Sequence, residues 1–140
     1  MLDELKHILE NKGIIPSFHR IKIYEYLMNN KSHPTADTIY SDMIQQIPTL
    51  SKTTIYNTLK TFLKKGLISS VTIEDNEVRF DPDMSFHGHF KCLQCGGIYD
   101  ITFDESIRKS INDIVSNQVR GYSLMESHLY LKGICKNCLS

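Results

Sequence analysis

Two imidazoles and two thiols fall within the nine residues from His87 to Cys95. Cys92 and Cys95 form a Cys-x-x-Cys pair, and Cys135 and Cys138 form a second, which together use all four cysteines of the sequence. Thiolates are soft ligands, and two such knuckles fill a tetrahedron with no position left for a substrate. The spacing therefore predicts a structural Zn²⁺ site built from Cys92, Cys95, Cys135 and Cys138. His87 and His89 are separated by one residue, the spacing that sets two side chains on one face of a β-strand, ahead of the knuckle and outside it. They point to a second site with its own chemistry.

The elements that must position these groups are those of a modest soluble chain. Its 140 residues are 41% hydrophobic and 23% charged, enough for one domain or two small ones. No apolar stretch approaches the roughly 20 residues that span a bilayer, and Met-Leu-Asp-Glu is not a basic leader, so a cytoplasmic location is expected. Paired cysteines in a reducing compartment act as metal ligands more often than as disulfides. The 16 basic and 16 acidic side chains cancel, but the balance hides an asymmetry. Between Asp42 and Glu74 there is no acid, while Lys52, Lys60, Lys64 and Lys65 lie in that window.

Apolar residues recur at helical spacing four times before the first knuckle. Leu2, Leu5, Ile8 and Leu9 define a short helix that stops at Gly13, and Ile21, Tyr24, Leu27 and Met28 define a second over residues 17–29. His19 and Arg20 stand at its start, where a side chain can reach a phosphate. Thr35 caps a third helix with Ile39, Tyr40, Met43 and Ile44 on its apolar face, and His33 stands just before it. Ser51 caps a fourth, in which Ile55, Leu59, Phe62 and Leu63 face inward.

The opposite face of this fourth helix carries Lys52, Thr53, Tyr56, Asn57, Lys60 and Lys64. Hydroxyls, an amide, an aromatic ring and lysines without an acid are the mixture that touches phosphates and base edges in a major groove. Gly66 ends the helix, and residues 67–73 and 78–80 read as two strands about the turn at 74–77. Helices followed by such a hairpin make a winged helix-turn-helix.

Asp81-Pro82-Asp83 breaks the second strand. The expected organisation is a winged-helix DNA-binding domain over 1–81, a hinge at 82–85 and a second domain over 86–140. In the second domain, residues 89–92 and 98–101 read as strands, Ile107, Ile111, Ile114 and Val115 as a covering helix, and residues 123–134 as a strand that delivers Cys135. A small sheet of this kind has edges to hide, which predicts pairing with a second copy. The fold class is α+β, a winged helix-turn-helix plus a small α/β dimerisation domain with a structural zinc site.

Five separated blocks carry a family resemblance: His33-Pro34-Thr35-Ala36-Asp37, Thr54-Ile55-Tyr56-Asn57-Thr58-Leu59, Arg79-Phe80-Asp81, His87-x-His89-x-x-Cys92-x-x-Cys95-Gly96 and Cys135-x-x-Cys138. In this order they resemble the ferric uptake regulator superfamily of metal-dependent bacterial repressors, and within it most resemble the peroxide-responsive repressors. The resemblance implies a regulatory metal held by His33, Asp81, His87, His89 and Asp100. Ferric uptake regulators proper usually carry Glu at the positions of Asp81 and Asp100, and peroxide-type members share Asn57. Arg20 aligns with a family arginine, although the usual Thr-Pro before it is Ser17-Phe18 here. Phe86 and Gly88 stand where some relatives have polar ligands of an extra metal site, and His128 is one residue out of that site's register, so no third site is expected.

Imidazoles and carboxylates without sulfur suit Fe²⁺ or Mn²⁺ and also accept Zn²⁺. The resemblance implies that bound Fe²⁺ reacts with hydrogen peroxide and that a ligand histidine, His33 or His87, is oxidised, releasing DNA. The expected function is thus a homodimeric, metal-dependent repressor that binds double-stranded DNA, on a palindromic operator, through Arg20, Lys52, Thr53, Tyr56, Asn57 and Lys60. An iron- or manganese-responsive regulator without peroxide chemistry is the alternative. A metalloenzyme is the reading of a different class, but no nucleophile or acid-base pair accompanies the His/Asp set, and it would leave the basic helix unexplained. A zinc-stapled interaction module without a DNA role is a third.

Overall fold

The computed structural model describes residues 2–140, which divide into two compact units, one ending at Met84 and the other comprising Ser85–Ser140. In the first, α1 (Leu2–Asn11), α2 (Phe18–Asn29), α3 (Ala36–Met43) and α4 (Lys52–Lys64) are followed by β1 (Ser69–Val71) and β2 (Arg79–Asp81). Three helices start as capping chemistry dictates. The hydroxyls of Ser17, Thr35 and Ser51 accept from the backbone N–H three residues on and so satisfy an otherwise orphaned donor.

The helices bury one continuous core. Leu9, Ile23, Leu27, Ile39, Ile55 and Phe62 have no exposed surface, and the Tyr24 ring meets Phe62 edge-on at 6.0 Å. Ile55, Leu59 and Phe62 supply the inward face of α4, which leaves Lys52, Thr53, Tyr56, Asn57, Lys60 and Lys64 exposed. The Tyr26 hydroxyl donates to Asp42 and ties α2 to the end of α3.

The wing is shorter than the expected strands at 67–73 and 78–80. β1 and β2 pair antiparallel over three residues each, Ser69 opposite Asp81 and Val71 opposite Arg79. Leu67 and Ile68 instead join the helical core, and Pro82, which lacks an N–H, ends the ladder. The wing is anchored to the turn before α3. The Phe80 N–H donates to the Pro34 carbonyl at 3.0 Å, and Thr35 bridges Arg79.

The second unit holds β3 (His87–Cys92), β4 (Ile98–Thr102), α5 (Glu105–Gln118), β5 (Tyr130–Gly133) and α6 (Lys136–Leu139). Its sheet has the order β4-β3-β5, with β3 antiparallel to β4 and parallel to β5. The expected strand over 123–134 is reduced to four residues. β3 gives it neighbours only from His89 onward, where the His89 N–H donates to the Leu129 carbonyl at 3.0 Å and His89 lies opposite Tyr130.

Nor does α5 cover the sheet as expected. Ile107 and Ile114 of its apolar stripe are 42% and 53% exposed, and the helix contains no buried residue. Within this unit, among the described residues, Gly88, His89 and Cys92 alone are buried. No helix among the described residues is long and apolar enough to cross a membrane.

Candidate metal centres

The four cysteines converge. Cys92 ends β3, Cys135 follows β5 on the neighbouring strand, and the parallel register sets Cys92 beside Gly133. Cys95 is turned back by Gly96 at φ 77°, a left-handed conformation that glycine adopts at little cost. Cys138 lies on α6, for which Cys135 is the N-cap residue. The four sulfurs lie within 4.8 Å of one another, with Cys95 Sγ 3.9 Å from Cys135 Sγ.

Backbone dipoles prepare this cluster for charge. The N–H groups of Cys95 and Cys135 donate to Cys92 Sγ at 3.4 and 3.3 Å and draw that thiol down to about 6. The N–H of Cys138 likewise lowers the Cys135 thiol. Cys138 is pushed up to about 12 by its hydrogen bond to Cys135, by burial and by the other two sulfurs. Four thiols this close cannot all ionise without a cation among them. A tetrahedral Zn²⁺ resolves that conflict, and the all-sulfur set fits it with no open position. Tyr99, absent from the sequence expectations, joins the cluster through its hydroxyl, and hydrogen bonding to Cys135 holds its phenol above the ordinary value.

Sulfur-free donors occur in both units. In the first, His33 Nε2 lies 3.5 Å from Asp81 Oδ2, and both side chains are buried. The other Asp81 oxygen accepts from the Asp83 N–H at 2.9 Å, the turn that Pro82 imposes. His33 is the one non-glycine residue at positive φ, 58°, among the described residues, and the Arg79 guanidinium donates to its carbonyl at 3.0 Å. Sequence reasoning left Arg79 out of the site, although it belongs to the Arg79-Phe80-Asp81 block.

In the second, β3 and β4 place His89 directly opposite Asp100. His89 Nε2 and His87 Nε2 lie 3.4 and 3.8 Å from the same Asp100 Oδ1, and the imidazole centroids are 4.7 Å apart. His87 Nδ1 is 2.7 Å from the Ser85 carbonyl, an acceptor. The proton therefore resides on Nδ1, and the Nε2 lone pair is left for a metal, the usual outer-sphere arrangement of a ligand imidazole. Gly88 between them is sterically required, since a Cβ there would meet Phe103 at 2.8 Å and the Leu129 carbonyl at 3.2 Å.

On the face expected to read DNA, Arg20 and Asn57 line one cleft of about 260 Å³ with Ser17, His19, Thr54, Thr58 and Thr61. One Arg20 nitrogen donates to the Ile15 carbonyl at 2.9 Å, which aims the guanidinium. Lys52, Thr53, Tyr56 and Lys60 lie exposed along α4 outside this lining. The face is not free of acid, as the α4 sequence suggested. Asp37, from the first turn of α3, accepts from the Tyr56 hydroxyl at 3.2 Å.

A winged helix joined to a small sheet that carries a thiolate cluster and paired His/Asp donors defines a metal-binding transcription regulator. The chain matches the Ferric uptake regulator family over residues 11–132 and belongs to it. It is 32% identical to the peroxide operon regulator of Bacillus subtilis (strain 168) over 139 residues, 98% of this chain and 92% of that protein. It is also 32% identical to the peroxide-responsive repressor PerR of Staphylococcus aureus (strain Mu50), covering 98% of this chain and 90% of that one. The fold matches the ferric uptake regulator of Helicobacter pylori, described as having three functional metal-binding sites, with TM-score 0.77 at 21% identity over 100% of this chain and 95% of that chain. The peroxide-sensing PerR of Streptococcus pyogenes matches with TM-score 0.52 at 28% identity over 98% and 92%.

Proposed function

We propose that this member of the family is a metal-dependent repressor that senses hydrogen peroxide. Its reader is residues 1–81, its dimerisation unit residues 86–140, and its hinge 82–85. Cys92, Cys95, Cys135 and Cys138 hold a structural Zn²⁺. His33, Asp81, His87, His89 and Asp100 share one Fe²⁺ or Mn²⁺. The observation that carries the second assignment is the sulfur-free chemistry of the donors in both units, with the His87 tautomer fixed by Ser85.

Because donors come from both sides of the hinge, metal occupancy selects one relation between reader and dimerisation unit, to the extent that other relations lack some ligands. In a homodimer this sets the separation of two α4 helices, and the half-sites of a palindromic operator tolerate little error in it. The protein acts in the cytoplasm, with Arg20, Lys52, Thr53, Tyr56, Asn57 and Lys60 on the DNA. Fe²⁺ held by these residues would supply the electrons that reduce hydrogen peroxide. His33 and His87 are the candidate imidazoles, and oxidation of either would cost the site a ligand and release the closed arrangement.

The test is mass spectrometry of the Fe²⁺ and Mn²⁺ forms after peroxide treatment, beside gel shifts with duplex DNA. Oxygen on His33 or His87 in the iron form alone, with loss of DNA binding, is the expected result. Unmodified histidines in both forms would leave a regulator of iron or manganese level.

A further inference from the structure

Asp37 belongs to none of the groups that hold metal, yet it reaches the face of α4 that reads DNA. Lys52 and Tyr56 are four residues apart on that helix and so lie on one side of it. Asp37 Oδ1 accepts from the Tyr56 hydroxyl at 3.2 Å and lies 3.9 Å from Lys52 Nζ. The Lys52 ammonium is further steadied 5.3 Å from the centroid of the Tyr40 ring. All of this is in the open, with side-chain exposures of 59% for Lys52 and 72% for Asp37.

An exposed pair of this kind is weak and yields readily to a phosphate. Its carboxylate, however, remains beside the DNA backbone and repels it whatever the sequence. Its other role is geometric, because the bond from Tyr56 fixes the direction of a hydroxyl that would otherwise rotate. The single hydroxyl proton is given to Asp37, which leaves the Tyr56 oxygen lone pairs turned outward to accept from a base amino group. A phosphate clamp alone would carry lysine and no acid.

We propose that Asp37 is a specificity-determining residue of the DNA-reading face: it aims the Tyr56 hydroxyl at its base contact and, by restraining Lys52 and repelling phosphate, lowers the sequence-independent part of the binding. The inference rests on the reading of α4 as the recognition helix.

Two duplexes serve as probes, one selected by the Mn²⁺-loaded protein from a randomised library and one of arbitrary sequence. Asp37→Ala is expected to bind the arbitrary duplex several-fold more tightly, with a salt slope steeper by about one as Lys52 is released to phosphate. The selected duplex should gain less or lose affinity, so the ratio of the two falls by about tenfold, the scale of one good base contact. Asp37→Asn keeps an acceptor for Tyr56 and loses the charge, so it should tighten both duplexes and keep most of the ratio. Tyr56→Phe should lower the ratio as much as Asp37→Ala, and the double variant no further. Equal factors on both duplexes for Asp37→Ala, or none, would overturn the role of Asp37. Wild-type protein that selects no sequence from the library would instead overturn the reading of α4.

Discussion

Arg79 donates from its guanidinium to the carbonyl oxygen of His33 at 3.0 Å and so joins the wing strand to a residue held at φ 58°. The same guanidinium is held by Glu74 and Glu77 of the wing turn. A left-handed histidine costs conformational energy, and one N–H of a guanidinium fixed by two carboxylates holds its carbonyl in place. Arg79→Ala is expected to weaken the regulatory Mn²⁺ by about 10- to 100-fold while zinc content is unchanged, measured by metal titration and elemental analysis. Arg79→Lys should not restore it, because an ammonium cannot span the three acceptors.

His33 itself separates ligand from backbone roles. Both His33→Ala and His33→Gly should abolish metal-dependent DNA binding and leave zinc in place. The glycine variant should be the more stable of the two by about 1 kcal/mol, since only the alanine must hold a Cβ at positive φ. Equal melting temperatures in thermal denaturation would argue that the loop relaxes away from this conformation.

Residues 85–140 bury little apolar surface, so their cohesion falls on the thiolate cluster. Cys138→Ser should release Zn²⁺ and unfold this unit while the helical unit keeps its transition. Circular dichroism combined with a chromogenic zinc assay reads both. Retention of the sheet without zinc would remove the structural role of the metal.

Tyr26 gives the helical unit a pH signature. Burial, then the hydrogen bond and charge of Asp42, push its phenol well above the ordinary 10.0. The folded-state value is raised, so the contribution is complete below pH 10.0 and is lost as pH rises beyond it, where the unfolded chain alone releases the proton. Denaturant midpoints should therefore fall above that pH, and Tyr26→Phe should flatten the fall.

The apolar stripe of α5 faces solvent in one chain, with Ile114 53% exposed. A stripe of this kind is expected to be covered by a second copy. Ile114→Glu should shift the protein to monomers in analytical ultracentrifugation at unchanged zinc content. A dimer of undiminished affinity would place the interface elsewhere.

Much was legible before any coordinates. The helix caps Thr35 and Ser51 announced themselves because a hydroxyl before an apolar-periodic run has one favourable use, and four cysteines in two knuckles have one partner chemistry. Strand lengths were not legible, since Leu67 and Ile68 are as apolar as a strand requires and only the helical core could claim them. The stripe of α5 looked like a covering face because periodicity says that a face is apolar, not what lies against it.

By itself, then, the sequence determined the periodic helices, the thiolate set and the basic face of α4, which follow from residue type and local spacing, whereas the sulfur-free donor set was legible only through a family resemblance. Tertiary structure decided what depends on residues distant in the chain. Arg79 reaches back 46 residues to His33, Asp37 intrudes on Tyr56 19 residues on, and Cys135 arrives beside Cys92 because β5 runs parallel to β3. Such partners are chosen by packing and register, and no local pattern records them.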